Sequence, residues 1–209
     1  MKKKSKKGMQ RMFTEQSFEV FEIAGLDERM AAIRASIQPV FQAVGEEIRA
    51  QLEEKVGQPL YLHIAQHRRR TVYPPESTWL AIGTQKRGYK MEAHFQLAIW
   101  DEYVGLWLSI IDQPKVKDQL AQRLTDHKDL VQNLPKDFVL SPDHTQPTVY
   151  GLKEMDSLLE RFATVKKSEL QIGRIIKRND PIWQTPAKAK ETMLATYQTL
   201  LALFQLLHE

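Results

Sequence analysis

An α+β domain is the predicted fold: a mostly antiparallel sheet of about five to six strands, flanked by helices. Three observations carry this. The apolar pattern is helical up to residue 57, alternates through the middle of the chain, and becomes mainly helical again towards the end. The alternating stretches are joined by short connections, one of them only Asp101 and Glu102, and a link that short requires an antiparallel neighbour. At 209 residues and 42 % hydrophobic content, the chain has the length and apolar fraction for one domain with a self-sufficient core.

Thr14 and Asp27 are predicted helix caps, because their side-chain oxygens accept the unpaired amide hydrogens of a first turn. Met30, Ile33 and Ile37, then Val40, Phe41, Val44, Ile48, Leu52 and Val56, keep helical spacing. Pro39 divides this run into predicted helices over 27–37 and 39–56, and Gly57 ends it. Strands are predicted around Leu60 to Ile64, over Trp79 to Thr84, around Phe95 to Ile99 and around Val104 to Ile110. The spacing after Pro114 predicts a helix to about Asn133. A small extended piece over Phe138 to Leu140 lies between Pro135 and Pro142. A helix from Gly151 or Leu152 to about Val165, a strand over Leu170 to Lys177, and a C-terminal helix from Pro186 or Ala187 complete the reading.

The net charge of +4 is unevenly spread. Residues 1–12 hold Lys2, Lys3, Lys4, Lys6, Lys7 and Arg11 without an acid, so subtracting these six cations leaves the rest of the chain at −2. This predicts a disordered basic tail over 1–12 and a single α+β domain over 13–209. Met9 and Met12 precede the first apolar residue of the folded pattern, which leaves room for a start downstream of Met1. The absence of cysteine excludes disulfide scaffolds, thiolate metal sites and thiol nucleophiles, and it fits a cytoplasmic setting. No stretch reaches the roughly 20 apolar residues of a membrane span, and the tail lacks the apolar centre of a secretory signal.

One segment departs from this pattern. Between His63 and Gln96 lie His63, His67, Arg68, Arg69, Arg70, Lys86, Arg87, Lys90 and His94, against Glu76 and Glu92 as the acids. If the connections at 67–78 and 85–92 converge on one end of the sheet, six permanent cations share a small area, and such crowding calls for an anion. Arginine's planar fork suits bidentate phosphate or carboxylate recognition. Tyr73, Trp79, Tyr89 and Trp100 are interleaved with these cations; exposed aromatic faces there can stack a base or sugar, although Trp79 and Trp100 read first as core residues. The alternative is a solvated loop whose arginines pair with neighbouring glutamates. On the strands, His63, His94, Gln96, Trp107 and Ser109 alternate with aliphatic residues, which makes one sheet face polar, whether open as a groove floor or covered.

Catalytic patterns are sparse. The sequence holds no Gly-rich phosphate loop, no nucleophile elbow and no paired-histidine zinc helix. His63 and His67, placed at a strand end, are about 13 Å apart, too far to share an ion, so no metal or cofactor is assigned. Asp101 and Glu102 point apart at a turn. Asp112, Asp180 and His144 read as surface residues. The leading expectation is a binding module that takes a phosphate-bearing small molecule or nucleic acid on Arg68, Arg69, Arg70, Lys86, Arg87 and Lys90, with His94, Gln96 and Arg174 as secondary contacts. The alternatives are an enzyme on a phosphorylated or nucleotide substrate, with His67 or His94 as general acid or base, and a domain that docks an acidic protein. Oligomeric state is left open.

The run His67-Arg68-Arg69-Arg70-Thr71-Val72-Tyr73-Pro74-Pro75 with Thr78-Trp79, and the block Lys86-Arg87-Gly88-Tyr89-Lys90-Met91 followed by His94-Phe95-Gln96, resemble the YktB-like family of bacterial proteins. Phe13-Thr14, the stretch from Phe18 to Leu26-Asp27, and Gly173-Arg174 are similar too, so the resemblance spans nearly everything from residue 13 onward. It implies an α+β fold and no established activity. The basic tail falls outside the family pattern.

Overall fold

The computed structural model describes residues 12–111, Pro114 and 116–209, so the basic tail and Asp112 lie outside the described residues. Met12, assigned to the tail by charge, is buried in the core. A short helix α1 (Glu15–Glu19) follows Thr14, whose backbone N–H donates to Ser17 Oγ at 3.2 Å. Helix α2 (Leu26–Ala32) begins one residue before the predicted cap: Gly25 occupies the cap, and Asp27 sits in the first turn, where its charge suits the positive helix end. The predicted break at Pro39 does not occur. A π-helical turn (Ile33–Ile37) carries the chain into α3 (Gln38–Val56), and Pro39 falls in the first turn of α3, where its missing N–H costs nothing. Gly57, at φ +75°, closes α3 in the left-handed conformation that glycine adopts without penalty.

The seven described strands form one antiparallel sheet: β1 (Tyr61–Ile64), β2 (Thr78–Gly83), β3 (His94–Ile99), β4 (Tyr103–Ile110), β5 (Val139–Ser141), β6 (Tyr150–Gly151) and β7 (Leu170–Lys177), in the order β1-β2-β3-β4-β7-β5-β6. The predicted α+β class holds, with one strand more than the upper prediction: β6, at two residues, is too short to show alternation. After β4 the chain passes through α4 (Lys117–Asp126) and α5 (Lys128–Gln132), which divide at His127 what the spacing predicts as one helix. The β5–β6 hairpin and α6 (Met155–Thr164) then bring β7 back between β4 and β5, and β7 pairs with both. Helices α7 (Pro186–Thr199) and α8 (Leu201–Leu206) end the chain. No helix among the described residues is long and apolar enough to cross a membrane.

Strand alternation gives the two sheet faces different chemistry. Leu80, Ile82, Phe95, Leu97, Leu106, Leu108 and Ile172 face the helices and form the main core with them. Opposite, Ala98, Trp100, Tyr103 and Trp107 form a second cluster with Trp79, Val139, Val149 and Ile175, made of strand and loop residues only. His94, Gln96, Ser109, Gln171 and Ser141, the polar residues of this face, are all buried. The Gln171 amide donates to Ser109 Oγ at 2.7 Å across the strands. The Trp107 indole lies over Gly105, where a Cβ would collide with it.

Candidate functional site

Three connections meet over Trp79 on this second face. The first leaves β1 at Ile64 and returns at Thr78. Its ends are closed by Ala65 N–H donating to Trp79 O at 2.9 Å, and its tight turn is set by His67, whose φ of +50° makes it the one non-glycine residue with positive φ among those described. Arg29, buried on α2, donates through Nε to Ile23 O (2.6 Å) and through Nη1 to Pro75 O (3.0 Å), tying this loop to the helical layer. Desolvation lowers the Arg29 pKa, with the Glu76 charge opposing that shift. Arg70 Nη1 binds Tyr73 O and Pro74 O at 3.2 and 3.3 Å, which leaves Tyr73 77 % exposed beside the arginines.

The second connection, between β2 and β3, leaves the opposite end of the sheet. The expectation that the two loops meet at one end is therefore corrected: they meet over the face, because the second folds back across it. His63 Nε2 lies 2.9 Å from Gln85 O, and the Tyr89 ring packs against His63 (4.9 Å) and His94 (5.0 Å). Tyr89 Oη then accepts a 2.9 Å bond from Trp79 Nε1, and Lys90 Nζ sits 5.5 Å from the Trp79 ring centre. The third connection, β5–β6, is held by Tyr103 Oη donating to Pro147 O at 3.0 Å, and it brings His144 edge-on to Trp79 at 5.7 Å.

Together they enclose a cleft of about 550 Å³, lined by Ala65 to Arg70, Glu76, Ser77, Trp79, Tyr89, Lys90, Trp100, His144 and Thr145. Arg68, Arg69, Arg70 and Lys90 all line it, the three arginines exposed, with Glu76 as the acid in the wall. His67 responds to that field. Burial first, then the charges of Arg70 and Lys90, push its pKa down to about 4, so it is neutral at pH 7, with Nε2 3.0 Å from Thr78 Oγ1.

Of the sequence candidates, Arg68, Arg69, Arg70, Lys90 and His67 are brought together in the cleft. Lys86 instead lies 5.6 Å from the Tyr61 ring centre, and Arg87 is exposed on the turn outside it. Arg174 points to the other side of the sheet, paired with Asp137 and over the Phe138 ring. His94, packed against the Tyr89 ring, and Gln96 lie on the cleft's side of the sheet but are 0 % and 1 % exposed, where no solvent-borne ligand touches them. Asp180 caps the turn at Pro181–Gln184.

His144, read from sequence as a surface residue, lines the cleft with its side chain 11 % exposed. Glu169 Oε2 accepts from both its backbone N–H (2.9 Å) and its ring Nδ1 (2.7 Å). Asp143, His144 and Glu169 are also the one group of His, Asp and Glu donors close enough to share a cation among the described residues, within 4.8 Å of each other. Those donors are engaged already: Asp143 Oδ1 takes Thr145 N–H (2.8 Å) and Oγ1 (2.7 Å), and Glu169 holds His144. Glu169 is 25 residues from His144, in the connection between α6 and β7, so no periodicity links them. The one local signal is the proline-bounded turn Pro142 to Pro147 around the histidine.

Comparison with known proteins bears out the resemblance to the YktB-like family. A UPF0637 protein of Enterococcus faecalis is 55 % identical over 197 residues, covering 93 % of this chain and 97 % of the relative. UPF0637 proteins of Lactococcus lactis subsp. cremoris and Oceanobacillus iheyensis are 47 % and 45 % identical over 199 and 195 residues, covering 95 % and 93 % of this chain and all and 95 % of the relatives. The model for a domain of unknown function, DUF1054, matches residues 13–204. A 55 % identity over 93 % of the chain and a family model over residues 13–204 lead to one conclusion: the chain belongs to the DUF1054 family, the UPF0637 proteins.

Proposed function

We propose that this chain is a soluble cytoplasmic binding module that holds a phosphate-bearing ligand in the cleft over Trp79. The observation that carries this reading is the run Arg68-Arg69-Arg70 on the wall of a cleft with an indole for its floor, in which Arg68 and Arg69 form no ion pair with a carboxylate among the described residues. Three adjacent arginines beside one acid, Glu76, repel one another, and an anion between them relieves that cost. Guanidinium forks match phosphate oxygens, and Trp79, with the exposed Tyr73 nearby, offers ring surface to a base or sugar. The cysteine-free composition supports the cytoplasmic placement.

The test is calorimetric titration of the full chain with inorganic phosphate, ATP and a short single-stranded oligonucleotide, repeated on Arg68→Ala/Arg69→Ala. Charge-assisted bonds contribute about 1.5–3 kcal/mol each, so the double variant loses about 100-fold or more in affinity with its melting unchanged. Equal affinity in the double variant, or no binding of any of the three probes, overturns the reading.

A further inference from the structure

We infer that the cleft is catalytic, with His144 as the general base for hydrolysis of a phosphate ester; this rests on the phosphate reading above. A carboxylate can only accept, so the 2.7 Å bond to Glu169 Oε2 places the hydrogen of the neutral ring on Nδ1 and leaves Nε2 as a bare lone pair. The same oxygen also takes the His144 backbone N–H, so one carboxylate holds the residue at two points. Trp79 packs edge-on at 89° and restricts the ring from another side. The two side chains are only 11 % and 13 % exposed, which keeps this carboxylate–imidazole bond out of competing water. A partnered ring of this kind, lining the same cleft as Arg68 to Arg70, has the arrangement of a base and its orienter. His67, the other imidazole of the cleft, already has Nε2 against Thr78 Oγ1 and serves as part of the wall.

The chemistry is ester hydrolysis with water as co-reactant. His144 Nε2 takes a proton from water as the water oxygen bonds to phosphorus. The P–O bond to the leaving group breaks on the far side of phosphorus, the departing alkoxide takes a proton from solvent, and the imidazolium then gives its own proton back to solvent. One water is consumed, and an alcohol and the less esterified phosphate leave. The negative charge gathering on the phosphoryl oxygens faces the arginines. Glu169 is a positioning residue that favours the imidazolium while it exists.

The experiment uses the full chain with 4-nitrophenyl phosphate and bis(4-nitrophenyl) phosphate as probes, alongside titration with inorganic phosphate. His144→Gln is expected to lower kcat by about 100-fold or more. Glu169→Gln keeps an acceptor oxygen for both N–H groups but lacks the charge, so it should lower kcat at least about 10-fold with KM and phosphate affinity unchanged. If His144→Gln does not fold, the kcat against KM split in Glu169→Gln decides. Unchanged turnover in a folded His144→Gln, or in Glu169→Gln, overturns the inference, as does a wild-type protein that binds inorganic phosphate but turns over neither probe. A protein that neither binds phosphate nor turns over a probe removes the phosphate reading itself.

Discussion

His94 shows what one buried side chain does to the whole protein's pH response. Its Nδ1 lies 3.0 Å from the Glu92 carbonyl, which only accepts, so the ring hydrogen sits on Nδ1; Nε2 and the nearby Gln96 Oε1 have no hydrogen-bond partner among the described residues. Burial pushes its pKa down to about 4, well below the ordinary 6.5 of an exposed imidazole. Below pH 6.5 the unfolded chain therefore binds a proton that the folded chain refuses, and stability falls as pH drops. Each pH step over which only the unfolded chain holds that proton costs about 1.4 kcal/mol, so His94 alone removes about 3 kcal/mol between pH 6.5 and 4. His67, displaced the same way, adds to the loss over the same window. Urea midpoints measured from pH 8 to 4 should be level above pH 7 and fall below 6.5, and His94→Gln should flatten part of that slope. The acid-side loss follows from burial, which alternation alone does not report: the pattern puts His94 and Gln96 opposite the aliphatic residues but leaves open whether that face is wet or covered.

At the scale of elements, two glycines permit the sheet to carry this crowded face. At Gly105 an added Cβ meets the Trp107 indole, a side chain; at Gly173 it meets the Leu106 carbonyl, which the β4–β7 ladder holds in place. Gly173→Ala should accordingly cost more than Gly105→Ala, and more than about 2 kcal/mol by chemical denaturation; an equal cost would show that the ladder yields. The connections behave in a similar way. Residues 84–93 leave the sheet at the end opposite to the arginine loop, yet Tyr89 returns to Trp79 because His63, His94 and Trp79 each give it a contact. The pattern located both loops and their charges correctly. It could not show that one of them folds back, since that depends on partners contributed by three different strands.

For the whole molecule, the last helices seal the main core over the middle of the sheet. Phe204 stacks on Phe95 at 4.4 Å, Tyr197 Oη donates to Gln96 O at 2.8 Å, and Leu200, Leu203, Leu206 and Leu207 are buried with Phe204. Burying each such side chain contributes about 1.5–3 kcal/mol, so these five together match the 5–15 kcal/mol by which a domain is stable. Removing residues 200–209 should abolish the cooperative thermal transition and expose the aliphatic face to a hydrophobic dye; a cooperative melt in the truncated chain would show that the sheet and α3 suffice.

The class of fold, the β3–β4 hairpin and β7, the helical runs and the concentration of cations between His63 and Gln96 are legible along the chain, because each is written in neighbouring residues: a period, a turn or a run of charge. Which of those residues meet depends on the packed chain. It gathered Arg68, Arg69, Arg70 and Lys90 over Trp79, turned Arg174 to the opposite side, buried His94 and Gln96, and joined His144 to Glu169 across 25 residues. The physical reason is range. Local patterns follow from hydrogen bonding and burial along one element, whereas a site is made where separate elements cross, and strand order and loop reach are set by the packing of the whole chain.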